Sequence, residues 1–120
     1  MQGQTSSQSA IEVDWKSAET LYAEKQYAAA AEIYAKLVQY GESSTLYYNY
    51  ANALYKSNQL GLAILNYERA LRLDPTNDDI KFNLEFVNKM KTDKIEPLER
   101  FFLSVWMESL SRMLTSNQWA

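Results

Sequence analysis

The side chains that could carry out catalysis in this sequence are carboxylates, hydroxyls, amides and amines, because the 120 residues include no His and no Cys. A catalytic imidazole, a thiol nucleophile and a His- or Cys-ligated zinc site are therefore excluded. Asp78 and Asp79 form the only adjacent carboxylate pair, and after Asp74-Pro75 they are typical of the acidic first turn of a helix. Paired acid–base carboxylates would need burial that separates their pKa values. We expect no enzyme, no metal site, no cofactor and no small-molecule substrate.

The composition favours an all-helical protein and argues against nucleic acid as its partner. Three Gly and two Pro interrupt 120 residues that are 47% hydrophobic, and so few helix breakers predict long helices. The 15 acidic and 12 basic residues give a net charge of -3 without a cluster of Lys or Arg, which argues against nucleic acid. No apolar run approaches the roughly 18 residues that span a bilayer. Residues 1–10, rich in Gln, Ser and Thr and unlike a signal peptide, are predicted to be a disordered leader.

A repeat organises the middle of the chain, where all nine Tyr occur. Six positions recur 33 residues later: Ala18, Leu21, Tyr27, Ala30, Tyr34 and Leu37 correspond to Ala51, Leu54, Leu60, Ala63, Tyr67 and Ala70. The small residues allow two helices to approach closely, and the bulky residues fill the gaps between them. The turn residues Lys25-Gln26 and Asn58-Gln59 then separate the two helices of each unit. The pattern predicts two helix hairpins.

The second copy resembles the tetratricopeptide (TPR) repeat. The matching residues, in the order of the TPR pattern, are Tyr47, Tyr50, Ala51, Leu54, Ala63, Tyr67, Ala70 and Pro75. The first copy departs from the pattern, with Asp14 at the aromatic position and no closing Pro. The resemblance implies an all-α, TPR-type superhelix with repeats over residues 11–43 and 44–77. Residues 78–93 are then expected to form a capping helix or a partial third repeat.

The C-terminal segment, residues 94–120, is predicted to contain a separate amphipathic helix over about 97–115, with Pro97 in its first turn. Its apolar stripe includes Phe101, Phe102, Val105, Trp106, Leu110 and Met113. Two interpretations stay open. The stripe packs on the preceding repeat as a cap, or part of it faces another copy of the chain, an exchanged helix or a membrane surface.

The combination of a short TPR array with this C-terminal segment is similar to the BatE-like family, the TPR proteins of the Bacteroidetes aerotolerance operon. The resemblance rests on Lys94-Ile95-Glu96-Pro97-Leu98, Phe101-Phe102-Leu103, Trp106 and Ser116-Asn117-Gln118-Trp119-Ala120. It implies an exported protein of the cell envelope, with its repeats on the periplasmic side. It also implies membrane contact only through segments outside these 120 residues, so the sequence would be a soluble fragment.

The first helices of TPR-like hairpins line a binding groove, and their outward positions predict its residues. Counting along each first helix at helical spacing gives Trp15, Glu19, Tyr22, Tyr48, Asn49, Asn52, Tyr55, Lys56, Phe82, Asn83 and Phe86. Amide side chains both donate and accept hydrogen bonds, so they suit the backbone of an extended peptide, and the rings suit its apolar side chains. The alternative is that several of these rings pack against one another or against the C-terminal helix.

The groove lacks the cations with which some TPR relatives clamp a partner's C-terminal carboxylates. Trp15 and Glu19 stand at the positions of one basic and amide pair, Asp79 and Asn83 stand where further cations are needed, and Asn49 alone matches. We therefore expect no binding of chaperone C-terminal tails. The sequence predicts a non-enzymatic scaffold that binds a peptide or partner protein, or alternatively a structural or oligomerisation module that acts through residues 97–115.

Overall fold

A computed structural model describes the backbone of residues 2–118 and the side chains of residues 8–93 and 101–113. Over that backbone the protein has five helices and no strand, which confirms the predicted all-α class. The helices are α1 (Gln2–Ala23), α2 (Tyr27–Leu37), α3 (Ser44–Lys56), α4 (Leu60–Leu73) and α5 (Asp78–Gln118). The chain divides into two compact units, Met1–Asn88 and Lys89–Ala120.

The same turn closes both hairpins of the first unit, between α1 and α2 and between α3 and α4. Lys25 and Asn58 each adopt a left-handed backbone conformation, with φ of 65° and 67°. The next residue in each turn donates its backbone N–H five residues back, from Gln26 to the carbonyl of Leu21 at 2.8 Å and from Gln59 to that of Leu54 at 2.9 Å. This is the Schellman ending of a helix, and it satisfies carbonyls that the helix itself leaves without a partner. The repeated turn gives each hairpin the same reversal.

Serine side chains fix the start of α3. Ser43 is the N-cap, and its hydroxyl accepts the N–H of Leu46 at 3.3 Å. The Ser44 hydroxyl donates to the carbonyl of Ala70 in the last turn of α4 at 3.1 Å. Ser43 therefore satisfies a backbone N–H that has no partner within α3. Ser44 connects the first turn of α3 to the last turn of α4.

The core of the first unit consists of the small and bulky residues that recur along the sequence. Ala18, Ala30, Ala51 and Ala63 are fully buried. Tyr34 and Tyr67, the bulky members of the pattern, are buried as well. Alanine at the close contacts lets the paired helices approach, and one large ring in each hairpin fills the remaining volume.

The first part of α5 packs on the second hairpin. Asn77 caps the helix through its side-chain oxygen, which accepts the N–H of Ile80 at 3.1 Å. Ile80 lies in one apolar cluster with Tyr47 and Ala70, and Val87 two turns later is also buried. Asp78 occupies the first turn, where the helix dipole favours an acidic side chain.

The predicted disordered leader is wrong for residues 2–10, which are helical and continuous with the rest of α1. The segment contains no Pro, and Gln is a good helix former. Once the downstream part of α1 is formed, each added residue gains one backbone hydrogen bond without a new nucleation step. A polar composition without periodicity therefore did not prevent helix formation.

The expected break between a capping helix and a separate C-terminal helix is also absent, because α5 runs without interruption from Asp78 to Gln118. The stretch between the two predicted helices, Lys94-Ile95-Glu96, includes Lys and Glu, which favour helix. The proline at position 97 lies inside the helix and not in its first turn. A proline removes one backbone donor, and here the helix continues past it. None of the described helices is long and apolar enough to cross a membrane.

Candidate functional site

Two pockets with shared walls lie among the helices of the first unit. The first, which we call the acidic pocket, has a volume of about 300 Å³ and is lined by Glu19, Tyr22, Tyr34, Asn49 and Asn52. The second, the amide pocket, has a volume of about 370 Å³ and is lined by Tyr22, Tyr48, Asn52, Tyr55, Lys56, Tyr67, Phe82, Asn83, Phe86 and Val87. Tyr22 and Asn52 line both. We refer to the two pockets together as the groove.

The structure brings the predicted groove residues together, with the exception of Trp15, which lines neither pocket. Trp15 is half-buried on α1, and its indole N–H donates to the Glu19 carboxylate one turn further along the helix. Trp15 therefore acts on the acidic pocket through Glu19 by holding that carboxylate in place.

A hydrogen-bond network fixes the floor of the amide pocket. The Oδ1 atom of Asn52 accepts the hydroxyl of Tyr67 and also the Asn83 amide at 3.1 Å. The same Asn83 amide donates to the Tyr48 hydroxyl at 3.0 Å. The network joins α3, α4 and α5, and it satisfies groups that would be costly to bury without partners.

Aromatic rings line the rim of the amide pocket and contact one another. The rings of Phe82 and Phe86 stack with centroids 6.4 Å apart and an interplanar angle of 9°, and Tyr55 meets Phe86 edge-on at 6.0 Å. Lys56 places its ammonium 5.4 Å from the centre of the Tyr55 ring. Phe82 is nevertheless 68% exposed and Phe86 is 49% exposed. The expected packing of rings against one another is thus present, and it leaves apolar surface open to solvent.

Three tyrosine hydroxyls in the groove, those of Tyr22, Tyr34 and Tyr67, have a raised pKa and stay protonated well above neutral pH. Burial, followed by the nearby charge of Glu19, raises the pKa of Tyr34 to about 12. Burial also raises the pKa of Tyr67, against the opposing effect of its hydrogen bonding with Asn83. Burial also raises the pKa of Tyr22. These phenols are neutral hydrogen-bonding groups and not bases.

The sequence did not predict Tyr34, Tyr67 and Val87 as lining residues. The repeat pattern assigned the two tyrosines to the packing between helices. Both tyrosines are buried, yet each also lines a pocket. The available signal was the use of Tyr and not Phe at both recurring positions, since a buried Tyr usually needs a partner for its hydroxyl.

The second unit carries the predicted apolar stripe on α5. The side chains of Phe101, Phe102, Val105, Trp106, Leu110 and Met113 are all exposed, as are Leu103 and Met107. Arg112 and Glu108 form an exposed ion pair at 3.1 Å, which contributes little to stability at such a site. The stripe is a large apolar surface of a kind that usually has a partner.

Comparison with known proteins finds one family. The family model of the TPR repeat matches residues 51–90, which include most residues of the amide pocket. No curated protein matches the sequence. TPR repeats in general mediate interactions between proteins, and proteins of this type are typically non-enzymatic. The match and the helix hairpins together support the interpretation of this chain as a TPR protein.

Proposed function

We propose that the protein is a non-enzymatic scaffold that binds a peptide or a segment of a partner protein in the groove. The observation that carries the proposal is the exposed aromatic rim around a fixed amide floor. Phe82 and Phe86 offer apolar surface to a ligand, while Asn52 and Asn83 are held in one orientation by their own hydrogen bonds. A site fixed before binding loses less conformational entropy when the ligand arrives.

Phe82 is the best residue with which to test this proposal. Its ring is 68% exposed, so removing it takes away contact surface at the pocket without opening a hole in the core. Tyr40 provides a matched control, because it is an equally exposed aromatic residue at 68% and lines neither pocket.

The experiment selects binding peptides from a displayed random library against the full chain and measures their affinities by fluorescence anisotropy. Phe82→Ala should weaken the affinity for the selected peptides about five- to twentyfold, as expected for an aromatic contact residue at an interface. Tyr40→Ala should leave the affinity within about twofold. Equal affinities for wild type and Phe82→Ala would place the binding surface elsewhere.

The similarity of the C-terminal sequence to the BatE-like family adds a cellular setting to the proposal. In that setting the scaffold belongs to a cell-envelope complex linked to aerotolerance or stress, with the repeats on the periplasmic side. Fractionation of the source cells tests this part alone. Recovery of the native protein in the envelope fraction supports it, and recovery in the cytoplasmic fraction contradicts it.

A second candidate function is self-association or anchoring beside a membrane through α5. The exposed stripe in the second unit favours it, because Phe102 and Trp106 are 64% and 61% exposed. Sedimentation velocity of the full chain over a range of concentrations tests self-association, with liposome flotation as the test for membrane contact. The double variant Phe102→Asp with Trp106→Asp should abolish any dimer or flotation, whereas Val13→Asp, at another exposed apolar residue, should not. A wild-type monomer that does not float would reject this candidate.

A further inference from the structure

We propose that the acidic pocket binds a cationic side chain, Arg or Lys, while the amide pocket takes an aromatic or large apolar side chain from the same partner segment. This inference rests on the proposed function, and it assigns the chemical class of the ligand. It follows from the different groups that stand at equivalent positions in the two hairpins.

The acidic pocket contains a carboxylate that remains available to a ligand. Glu19 lines the pocket, is exposed, and accepts one hydrogen bond from the Trp15 indole. A carboxylate has about four acceptor positions on its two oxygens, so that bond fixes the orientation of the group and leaves acceptor capacity for a second donor. A guanidinium or ammonium group supplies such a donor together with the opposite charge.

The other walls of the acidic pocket also suit a cation. Tyr22 and Tyr34 contribute aromatic rings, and ring faces attract Arg and Lys. Asn49 contributes an amide side chain, whose oxygen can accept a hydrogen bond. Because the pKa of Tyr34 is raised to about 12, chiefly by burial and next by the Glu19 charge, the phenol is neutral at physiological pH and its hydroxyl hydrogen is retained. The fixed charge of this pocket is that of Glu19.

The amide pocket is less suited to a cation. Its charged residue is Lys56, whose ammonium lies against the Tyr55 ring, so a second cation would be repelled there. The acceptor oxygen of Asn52 is already occupied by Tyr67 and Asn83. The exposed rings of Phe82 and Phe86 instead favour an aromatic or large apolar group.

The shared walls set the spacing of the two ligand groups. Tyr22 and Asn52 line both pockets, so the two groups must be close neighbours along the partner. In an extended segment, side chains two residues apart point to the same side and are separated by roughly 7 Å. The partner chemistry is therefore a cationic residue close along the segment to an aromatic or large apolar residue.

The test is an NMR titration of the ¹⁵N-labelled full chain with three small probes. N-acetyl-arginine methylamide carries the cation, N-acetyl-citrulline methylamide has nearly the same shape without the charge, and N-acetyl-phenylalanine methylamide probes the amide pocket. The arginine probe should saturate the shifts of the Glu19, Tyr34 and Asn49 amides at a concentration about three- to tenfold lower than citrulline, because a charged donor strengthens the hydrogen bond to a carboxylate. The phenylalanine probe should shift Phe82 and Phe86.

The variant Glu19→Gln removes the charge and nearly preserves the shape of the side chain. It should abolish the preference for arginine over citrulline and leave the phenylalanine shifts unchanged. Glu32→Gln is the matched control, because Glu32 is exposed on α2 and lines neither pocket. This substitution removes the same unit of charge as Glu19→Gln. That control should retain the arginine preference.

The outcomes separate this inference from the proposed function. Equal binding of arginine and citrulline by the wild type, or an arginine preference that survives Glu19→Gln, overturns the cationic assignment even if the phenylalanine probe binds. Failure of the phenylalanine probe to shift the amide pocket overturns the assignment of that pocket. If none of the probes shifts either pocket, the groove proposal fails as well.

Discussion

The acidic pocket and the amide pocket occupy equivalent places in two consecutive hairpins, yet they use their polar groups differently. Glu19 and Asn52 stand 33 residues apart along the repeat, as do Tyr34 and Tyr67. In the second hairpin Asn52 accepts the Tyr67 hydroxyl and the Asn83 amide. Among the described residues, the Glu19 carboxylate is held by the Trp15 indole and forms no hydrogen bond with Tyr34.

This comparison distinguishes a polar group that holds the fold together from one that remains available to a ligand. The acceptor in the amide pocket is committed to three helices, so it rigidifies the site. Within the described residues, the acceptor in the acidic pocket is bound by Trp15 of its own helix and remains exposed. The same repeat geometry thus provides one position for stability and one for recognition. Measurements at equivalent positions can test this division.

The largest expected difference is between Asn52→Ala and Glu19→Ala. Removing the Asn52 side chain takes the acceptor from Tyr67 and Asn83, and unpaired groups in a half-buried network cost about 2–3 kcal/mol of unfolding free energy. Glu19→Ala should change the unfolding free energy by less than about 0.5 kcal/mol, as is usual for an exposed residue. Urea denaturation followed by circular dichroism measures both. Equal losses in the two variants would contradict the division.

Alkaline pH tests Tyr34, the buried tyrosine of the acidic pocket. The folded pKa of Tyr34, raised to about 12, exceeds its unfolded value of 10.0. The stability from the neutral phenol is therefore complete below pH 10 and is lost as the pH rises toward 12, because the unfolded chain releases the proton first. One such group contributes a slope of about 1.4 kcal/mol per pH unit. The unfolding free energies of wild type and Tyr34→Phe are measured by denaturation from pH 9 to 11.5. The difference between them, wild type minus variant, should fall with this slope above pH 10.

Removing only the hydroxyl group of Tyr67 or of Tyr34 should give a smaller difference in unfolding free energy between the two pockets. Tyr67→Phe deletes the donor to Asn52 and should cost about 1 kcal/mol, the usual net value of one hydrogen bond. Tyr34→Phe at neutral pH should cost less, because its hydroxyl forms no such bond to Glu19 within the described part of the chain. Chemical denaturation at pH 7 provides the comparison. A larger loss for Tyr34→Phe would show that the first hairpin depends on its hydroxyl after all.

The features that could be predicted from the sequence are those that repeat. Ala18 and Ala51 at the close contacts, Tyr34 and Tyr67 in the core, and the turns at Lys25 and Asn58 all follow from a pattern that is visible twice. Periodicity also identified the groove residues on the first helices, because helical spacing determines which side chains share a face. Their role in binding stays a prediction.

The features that could not be predicted depend on single side-chain contacts or on the extension of a helix from its neighbouring turns. The bond from Trp15 to Glu19 takes that ring out of the pocket lining, and a side-chain rotamer cannot be read from spacing. The helical residues 2–10 and the unbroken α5 have weak local signals, since their structure depends on extension from neighbouring turns. Pro97 was misleading because proline is common both at helix starts and at interruptions.

The smallest expected effect compares the two turns that orient the hairpins. Lys25 and Asn58 share a left-handed conformation, with φ of 65° and 67°, but Asn tolerates it better than Lys, and Gly carries no steric penalty. Lys25→Asn should therefore raise the unfolding free energy by about 0.3–0.5 kcal/mol and Lys25→Gly by up to about 1 kcal/mol. Lys16→Gly, in the middle of α1, should instead destabilise the protein by about 1 kcal/mol. If Lys25→Gly also lowered stability, the Lys25 side chain would contribute more than its backbone strain costs, and the two turns would be equivalent in shape but not in energy.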